Sequence, residues 1–260
     1  MPKPKVLILR APGTNCDQET AYAFQLAGAK TEFVHINRWL ASTKLANDFQ
    51  IVCFPGGFSY GDDIAAGVIL AGKLNHHLRD ALQEFVAQDK LVLGICNGFQ
   101  VLIKTGLLLS NGNSNRLAAT LTWNDSGKFE DRWVHLQALG NTCVFLRDVR
   151  SLYLPVAHAE GKLVPADLEF LKTWHAAGQL ALRYAAPDNM TEVAATYPYN
   201  PNGSIAGIAG VCDPTGRIFG LMPHPERYVD PTQHPHWTRL EEPESVNGRI
   251  VFENAVNYFA

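Results

Sequence analysis

Strand-like runs of four or five residues recur through the first hundred positions, at 6–9, 32–36, 51–54 and 91–95. Helix-like segments lie between and after them. Asn15 and Asp17 can cap the segment 18–27, which Gly28 stops. Residues 64–88 carry mostly helical spacing, and 97–104 read as a helix closed by Gly106. Strand alternating with helix predicts a parallel sheet covered on both faces, an α/β fold. The runs at 51–54 and 91–95 are apolar throughout, as strands buried on both sides require. After about residue 115 the pattern changes. Runs at 117–123, 133–139 and 143–146, separated by Gly and Asn, predict an antiparallel patch. Further strands are expected at 179–184, 205–211 and 217–222, and a last helix at 248–259. No linker of low complexity and no internal repeat divides the chain, so residues 1–260 are expected to form a single domain.

Composition narrows the functional classes. Apolar residues make up 47% of the 260 and charged residues 18%, which excludes wholesale disorder, collagen and coiled coil. The net charge is −3 and no block of five like charges occurs, so no nucleic-acid or membrane surface is expected. The five cysteines are scattered without a CxxC pair, which argues against structural zinc and a secreted disulfide framework. The apolar run at 6–9 is too short for a signal-peptide core, and no run approaches the length of a membrane span. A reduced, cytoplasmic protein with no metal in its site is the expectation.

Cys96 is the candidate nucleophile. It stands in Leu-Gly-Ile-Cys-Asn-Gly-Phe-Gln, between an expected strand and an expected helix, with glycines at −2 and +2. This is the cysteine version of a nucleophile elbow. A tight strand-to-helix turn holds the nucleophile in a strained conformation, and the helix N-terminus favours a thiolate. The backbone N–H of Asn97 points where an oxyanion would form. Two glycines flank a given cysteine this way by chance about 0.5% of the time. With five cysteines the pattern alone does not identify an enzyme, and a buried structural cysteine is the alternative. Cys53, Cys143 and Cys212 lie in apolar runs and read as inert core. Cys16, in Gly-Thr-Asn-Cys-Asp, is expected on an exposed polar loop.

A cysteine nucleophile needs a base. Of nine histidines, His224 stands out in Met-Pro-His-Pro-Glu-Arg, just after the expected strand at 217–222. The flanking prolines push the backbone towards extended conformations, in which residues i and i+2 face the same way. His224 and Glu226 then project together, and the carboxylate fixes the imidazole tautomer. An incidental ion pair in a Pro-rich turn is the alternative. Both Cys96 and His224 fall at carboxyl ends of expected strands, the edge where ligands bind in open parallel sheets.

These residues resemble the Cys-His-Glu triad of class I glutamine amidotransferases, which implies a flavodoxin-like, mostly parallel sheet with a small antiparallel patch. FPGGFSYGDD at 54–63, GICNGFQ at 94–100, PVAHAEGKL at 155–163 and GLMPHPERY at 220–228 are similar to glutaminase subunits of phosphoribosylformylglycinamidine synthase. APGTNCDQE near the start and SGKFEDRWV in the middle share the likeness, which runs nearly end to end. The resemblance implies that the chain hydrolyses glutamine to glutamate and ammonia through a thioester on Cys96. His224 would manage the proton and Glu226 would orient it. Gly57 would supply a second oxyanion N–H beside that of Asn97, and Gln100 would contact the substrate. The loop 158–161 is expected to help hold the α-groups of glutamine, with a purely structural His158 as the alternative. No cofactor is implied in this chain. ATP and Mg are expected in a synthetase partner, with a small accessory subunit, in purine biosynthesis.

Two departures accompany the likeness. Asp63 and Ala65 stand where the family often has an aromatic or aliphatic residue and an Arg, and the segment 230–247 reads as an irregular crossing before the last helix. Two other readings compete. Other cysteine hydrolases and stress proteins on this sheet commonly place a His beside the nucleophile, where Asn97 stands here. A docking subunit without activity would be expected to lose part of Cys96, His224 and Glu226, and all three are present.

Overall fold

A computed structural model describes residues 3–109, 117–139, 142–187, 189–194, 196–239 and 248–260. The parallel region comprises β1 (Lys5–Arg10), α1 (Asp17–Leu26), β2 (Lys30–His35), α2 (Ile36–Ala41), β3 (Ile51–Phe54), α3 (Val68–His77), α4 (Arg79–Ala87), β4 (Leu91–Ile95) and α5 (Asn97–Thr105). The later elements are β5 (Ala119–Thr122), β6 (Glu130–Ala138), β7 (Ser151–His158), β8 (Lys162–Pro165), α6 (Glu169–Ala176), β9 (Leu182–Ala186), β10 (Asn189–Val193), β11 (Ile208–Cys212), β12 (Ile218–Leu221) and α7 (Arg249–Asn257).

The main sheet runs β2-β1-β3-β4-β12-β11-β9-β6-β7, with β10 on β9. Every pairing from β2 to β12 is parallel, which gives the flavodoxin-like order with β12 as fifth strand. Beyond β12 the pairings are antiparallel and continue the same sheet, while β5 and β8 form a separate antiparallel pair. β3 and β4 are buried at every residue, as their unbroken apolar runs require. α1 packs on β1, β2 and α7, with Phe24 edge-on to Phe252 at 4.9 Å. α5 packs on β3, β4 and β12, with α3 beside it.

The differences from expectation have local causes. The helical stretch at 64–88 is two helices, broken at Leu78, whose ψ of 7° leaves the helix. The apolar run at 143–146 is a 3-10 turn over 144–146, held by Asn254 of α7, whose Nδ2 donates to the carbonyls of Phe145 and Arg147. β7 was not anticipated as a strand, because Pro155 interrupts its donors. It lies at the end of the strand order, where a proline is tolerated. α1 has no side-chain cap at all: Asp17 is ion-paired with Arg10, and Asn15 accepts from the Cys16 thiol. In the crossing before α7, residues 231–233 and 237–239 form 3-10 turns, and Trp133 packs edge-on against Tyr228 and His234. Positions 240–247 lie outside the described residues.

Candidate active site

β3, β4 and β12 are parallel neighbours, so their carboxyl ends stand side by side. The chain leaving each end carries Gly57, Cys96 and His224 respectively. Cys96 joins β4 to α5 with φ 51° and ψ −106°, a backbone region that non-glycine residues rarely adopt. Such strain costs about 1–3 kcal/mol and persists only where surrounding structure enforces it. Here the enforcement is visible. The Cys96 N–H donates to Leu221 O at 2.8 Å, and its carbonyl accepts from Gln100 N as α5 begins. The two flanking glycines are needed for close approach. A Cβ on Gly98 would lie 1.8 Å from Phe54 O, and one on Gly94 would lie 2.7 Å from Gly98 O. The nucleophile helix therefore rests directly on the two strands.

His224 follows β12 in extended conformation and is fixed by donation from its N–H to Pro155 O at 2.9 Å. Its Nδ1 meets Glu226 Oε1 at 2.6 Å. Both side chains are buried, His224 1% and Glu226 0% exposed. Burial alone would lower the imidazole pKa. Glu226, and after it the thiols of Cys96 and Cys16, reverse that and hold His224 well above its ordinary value. Nε2 is buried and makes no hydrogen bond to the described residues. This leaves one ring nitrogen committed to the carboxylate and the other open.

A small pocket of about 40 Å³, open at its mouth, reaches Cys96. Gly57, Phe58, Asp62, Gln100 and the loop from Ala157 to Glu160 line it. Gly57 faces Thr14 in an isolated antiparallel bridge, whose bonds are Asn15 N to Gly56 O and Phe58 N to Gly13 O. In that pattern the bridged residues turn their own N–H groups outward. The Gly57 N–H is thus kept off the bridge, on a residue that borders the pocket. The Asn97 side chain fixes the floor: it accepts from Ser59 N and donates to Asp62 Oδ1 and Gln100 Oε1. Gln100 in turn donates to Glu160 O at 2.6 Å. Burial raises the Asp62 carboxyl above its ordinary value. Behind these acids stands Lys104, lowered by burial despite Glu160 and Asp62.

Cys96, His224, Glu226, Gly57, Asn97 and Gln100, all expected from sequence, come together here. His158 also lines the pocket. Burial, then the like charge of His224, pushes it down to about 3, so it is neutral. Its Nδ1 contacts Asn124 Oδ1 at 3.2 Å. Asn124 is a residue that sequence reading missed. Its amide also holds the carbonyls of His158 and Lys128, and its oxygen accepts from Gly161 N. Cys16 was expected on an exposed loop and is instead 1% exposed, against His224. Asp63 is exposed and Ala65 half-buried, in the turn beside Asp62.

Residues 3–259 match the CobB/CobQ-like glutamine amidotransferase domain. A curated protein of Dehalococcoides mccartyi, described as phosphoribosylformylglycinamidine synthase subunit PurQ, is 46% identical over 99% of this chain and 98% of its own length. A protein of Methanococcus maripaludis with the same description is 42% identical, covering 98% and 97%. Among solved structures, a chain from the structure of PurLQS of Thermotoga maritima superposes with a TM-score of 0.73 at 31% identity, over the whole of both chains. A glutamine amidotransferase of Thermotoga maritima, 15% identical over the whole of this chain and 97% of its own, shares the fold with a TM-score of 0.54. The chain belongs to the CobB/CobQ-like glutamine amidotransferase family, among the glutaminase subunits of phosphoribosylformylglycinamidine synthase.

Proposed function

We propose that Cys96, His224 and Glu226 are the catalytic triad of a glutaminase that supplies ammonia to a synthetase subunit. The observation that carries this reading is the strained Cys96 at a strand-to-helix turn, beside an imidazole tied to a buried carboxylate at 2.6 Å. The Cys96 sulfur attacks the side-chain amide carbon of glutamine. The N–H groups of Gly57 and Asn97 stabilise the resulting oxyanion. His224 passes a proton to the amide nitrogen, the C–N bond breaks, and ammonia leaves behind a thioester. His224 then takes a proton from water, whose oxygen attacks the thioester, and glutamate and the free thiol are released. The α-ammonium of glutamine suits the end of the pocket bordered by Asp62 and Glu160, with Gln100 and the loop 157–160 as further contacts.

The partner is a synthetase that spends ATP, with Mg, to activate the formyl oxygen of formylglycinamide ribonucleotide. Ammonia displaces that oxygen to give the amidine, and a small accessory subunit completes the assembly, in the cytoplasm. The descriptions of the relatives support this reading. Residues 1–260 act as one domain in it. No helix among the described residues is long and apolar enough to cross a membrane. Because free ammonia is mostly protonated in water, the isolated chain is expected to be poorly active, with docking setting the Gly57 N–H. The test measures product formation by the assembled complex from glutamine and from ammonium salt. Cys96→Ala abolishes the first and spares the second. Loss of both in a complex that assembles would overturn the reading. Equal glutamine hydrolysis by free chain and complex would remove the gating alone.

A further inference from the structure

Cys16 ends the loop before α1, and its sulfur lies within 4.8 Å of a ring nitrogen of His224 and a carboxylate oxygen of Glu226. The approach is built in. Gly56 stands between the two side chains, and a Cβ there would lie 2.9 Å from both Cys16 Sγ and His224 Cε1. The Cys16 sulfur accepts from Arg227 Nη2 at 3.1 Å, and Arg227 Nε donates to Glu19 Oε1 at 2.8 Å. Arg227 is thus anchored on two partners from the start of α1. It follows Glu226 directly in sequence and feels its charge. Yet Glu226 Oε2 is buried with no hydrogen bond to the described residues. A guanidinium N–H released beside an open carboxylate oxygen forms a charge-assisted hydrogen bond with it.

We propose that Cys16 is a positioning residue for amide hydrolysis: its sulfur, with Glu19, holds the Arg227 guanidinium off Glu226, so that the carboxylate serves His224 alone. The proposal rests on the triad reading above. A thiol suits the position because burial raises it and keeps it protonated. It accepts a hydrogen bond without adding a second anion beside the imidazole. The groups that bear on His224 are Glu226, Cys96, Cys16 and His158, with Arg227 and Cys53 acting on it through Glu226.

The experiment follows glutamine hydrolysis against pH in the complex with synthetase. In Cys16→Ala the Nη2 group of Arg227 that the sulfur held turns to Glu226 Oε2 while Nε stays on Glu19, and the imidazolium loses part of the charge that stabilises it. The kcat falls roughly tenfold or more with little change in KM. The limb of the profile governed by His224 moves to lower pH. Cys16→Ser keeps an acceptor for Arg227 and stays near wild type in both respects. Arg227→Met on top of Cys16→Ala removes the competitor and restores the limb. If the alanine variant does not fold, Cys16→Val fills the volume without a hydrogen-bond acceptor and carries the same test. A wild-type profile in Cys16→Ala, a serine variant as impaired as the alanine, or no recovery in the double variant overturns the proposal. An active His224→Ala would instead overturn the triad on which it rests.

Discussion

The parallel and antiparallel halves of the sheet divide the site between them. The parallel half supplies the groups placed by backbone alone: the strained Cys96, the N–H groups of Gly57 and Asn97, and His224 at the end of β12. The antiparallel half supplies a wall. β7 delivers Pro155 O to His224 and Ala157 O to within 3.6 Å of the Cys96 sulfur, then turns into the loop that borders the pocket. That loop is held by side chains, chiefly Asn124 and, from the far side, Asn202, which donates to Gly161 O. In the proposed triad the reacting atoms are thus set by strand ends, while the wall of the pocket is set by a network of buried amides. The two kinds of placement fail differently. A strand end moves only if the sheet moves, whereas a buried amide network is lost with one partner.

The sharpest way to break this division is at the parallel half. Cys96→Ala should lower glutamine-dependent turnover by more than about 10⁴-fold, measured in the assembled complex. Ammonium-dependent synthesis should persist. Next in size, His224→Ala should cost on the order of 10³-fold in kcat, with KM for glutamine little changed. Glu226→Gln should cost less, by about tenfold or more, because in the proposed triad Glu226 orients the base and does not itself move the proton. Steady-state kinetics on folded variants decide both. A Glu226 variant worse than the histidine variant would make the carboxylate a direct participant.

The antiparallel half should answer in a different parameter. Asn124→Ala removes three contacts to His158 and Gly161 and one to Lys128 O. It should raise KM for glutamine roughly tenfold, about 1.4 kcal/mol, with a smaller effect on kcat. An effect confined to kcat would mean that the wall also sets the reacting atoms. The last effect is on acid stability and leaves glutamine kinetics aside. His158 is neutral in the fold, with its pKa pushed down to about 3 from an ordinary 6.5. Between those values the unfolded chain binds the extra proton, so stability falls as pH falls, by about 1.4 kcal/mol per unit well inside the window. His224, raised in the fold, is protonated in both states below about 6 and adds no slope there. Denaturant titrations from pH 6 to 4 should give a shallower loss for His158→Gln than for wild type. Parallel slopes would show that His158 takes up its proton without unfolding.

The parallel half was also the more legible. The strands at 51–54 and 91–95 match the observed β3 and β4, since an apolar run closed by Gly or Pro has few other uses. That Cys96, His224 and Glu226 lie together could be expected because each residue type is rare in its setting. Cys16 could not. Its neighbours are polar, so the loop reads as exposed, and what buries it is Gly56 and His224, the latter some two hundred positions away. Asn124 gave no signal for the same reason: its four partners lie on its own turn and on the loop 158–161. The run at 143–146 was apolar enough for a strand, but four apolar residues carry no period, and the Asn254 side-chain amide, bonded to the carbonyls of Phe145 and Arg147, decides the turn.

The bridge between Thr14 and Gly57 has a consequence for motion. Asn15 N and Cys16 N both donate to Gly56 O, Phe58 N to Gly13 O and Tyr60 N to Pro12 O. These amides belong to two segments about forty residues apart, yet each is protected only while the other segment stays in place. Hydrogen exchange should therefore release the four protons together, as one cooperative opening. Pro12, Gly13 and Asn15 are exposed on the outer side of this unit. Contact made there, outside the pocket, bears on the same bonded unit that holds Gly57.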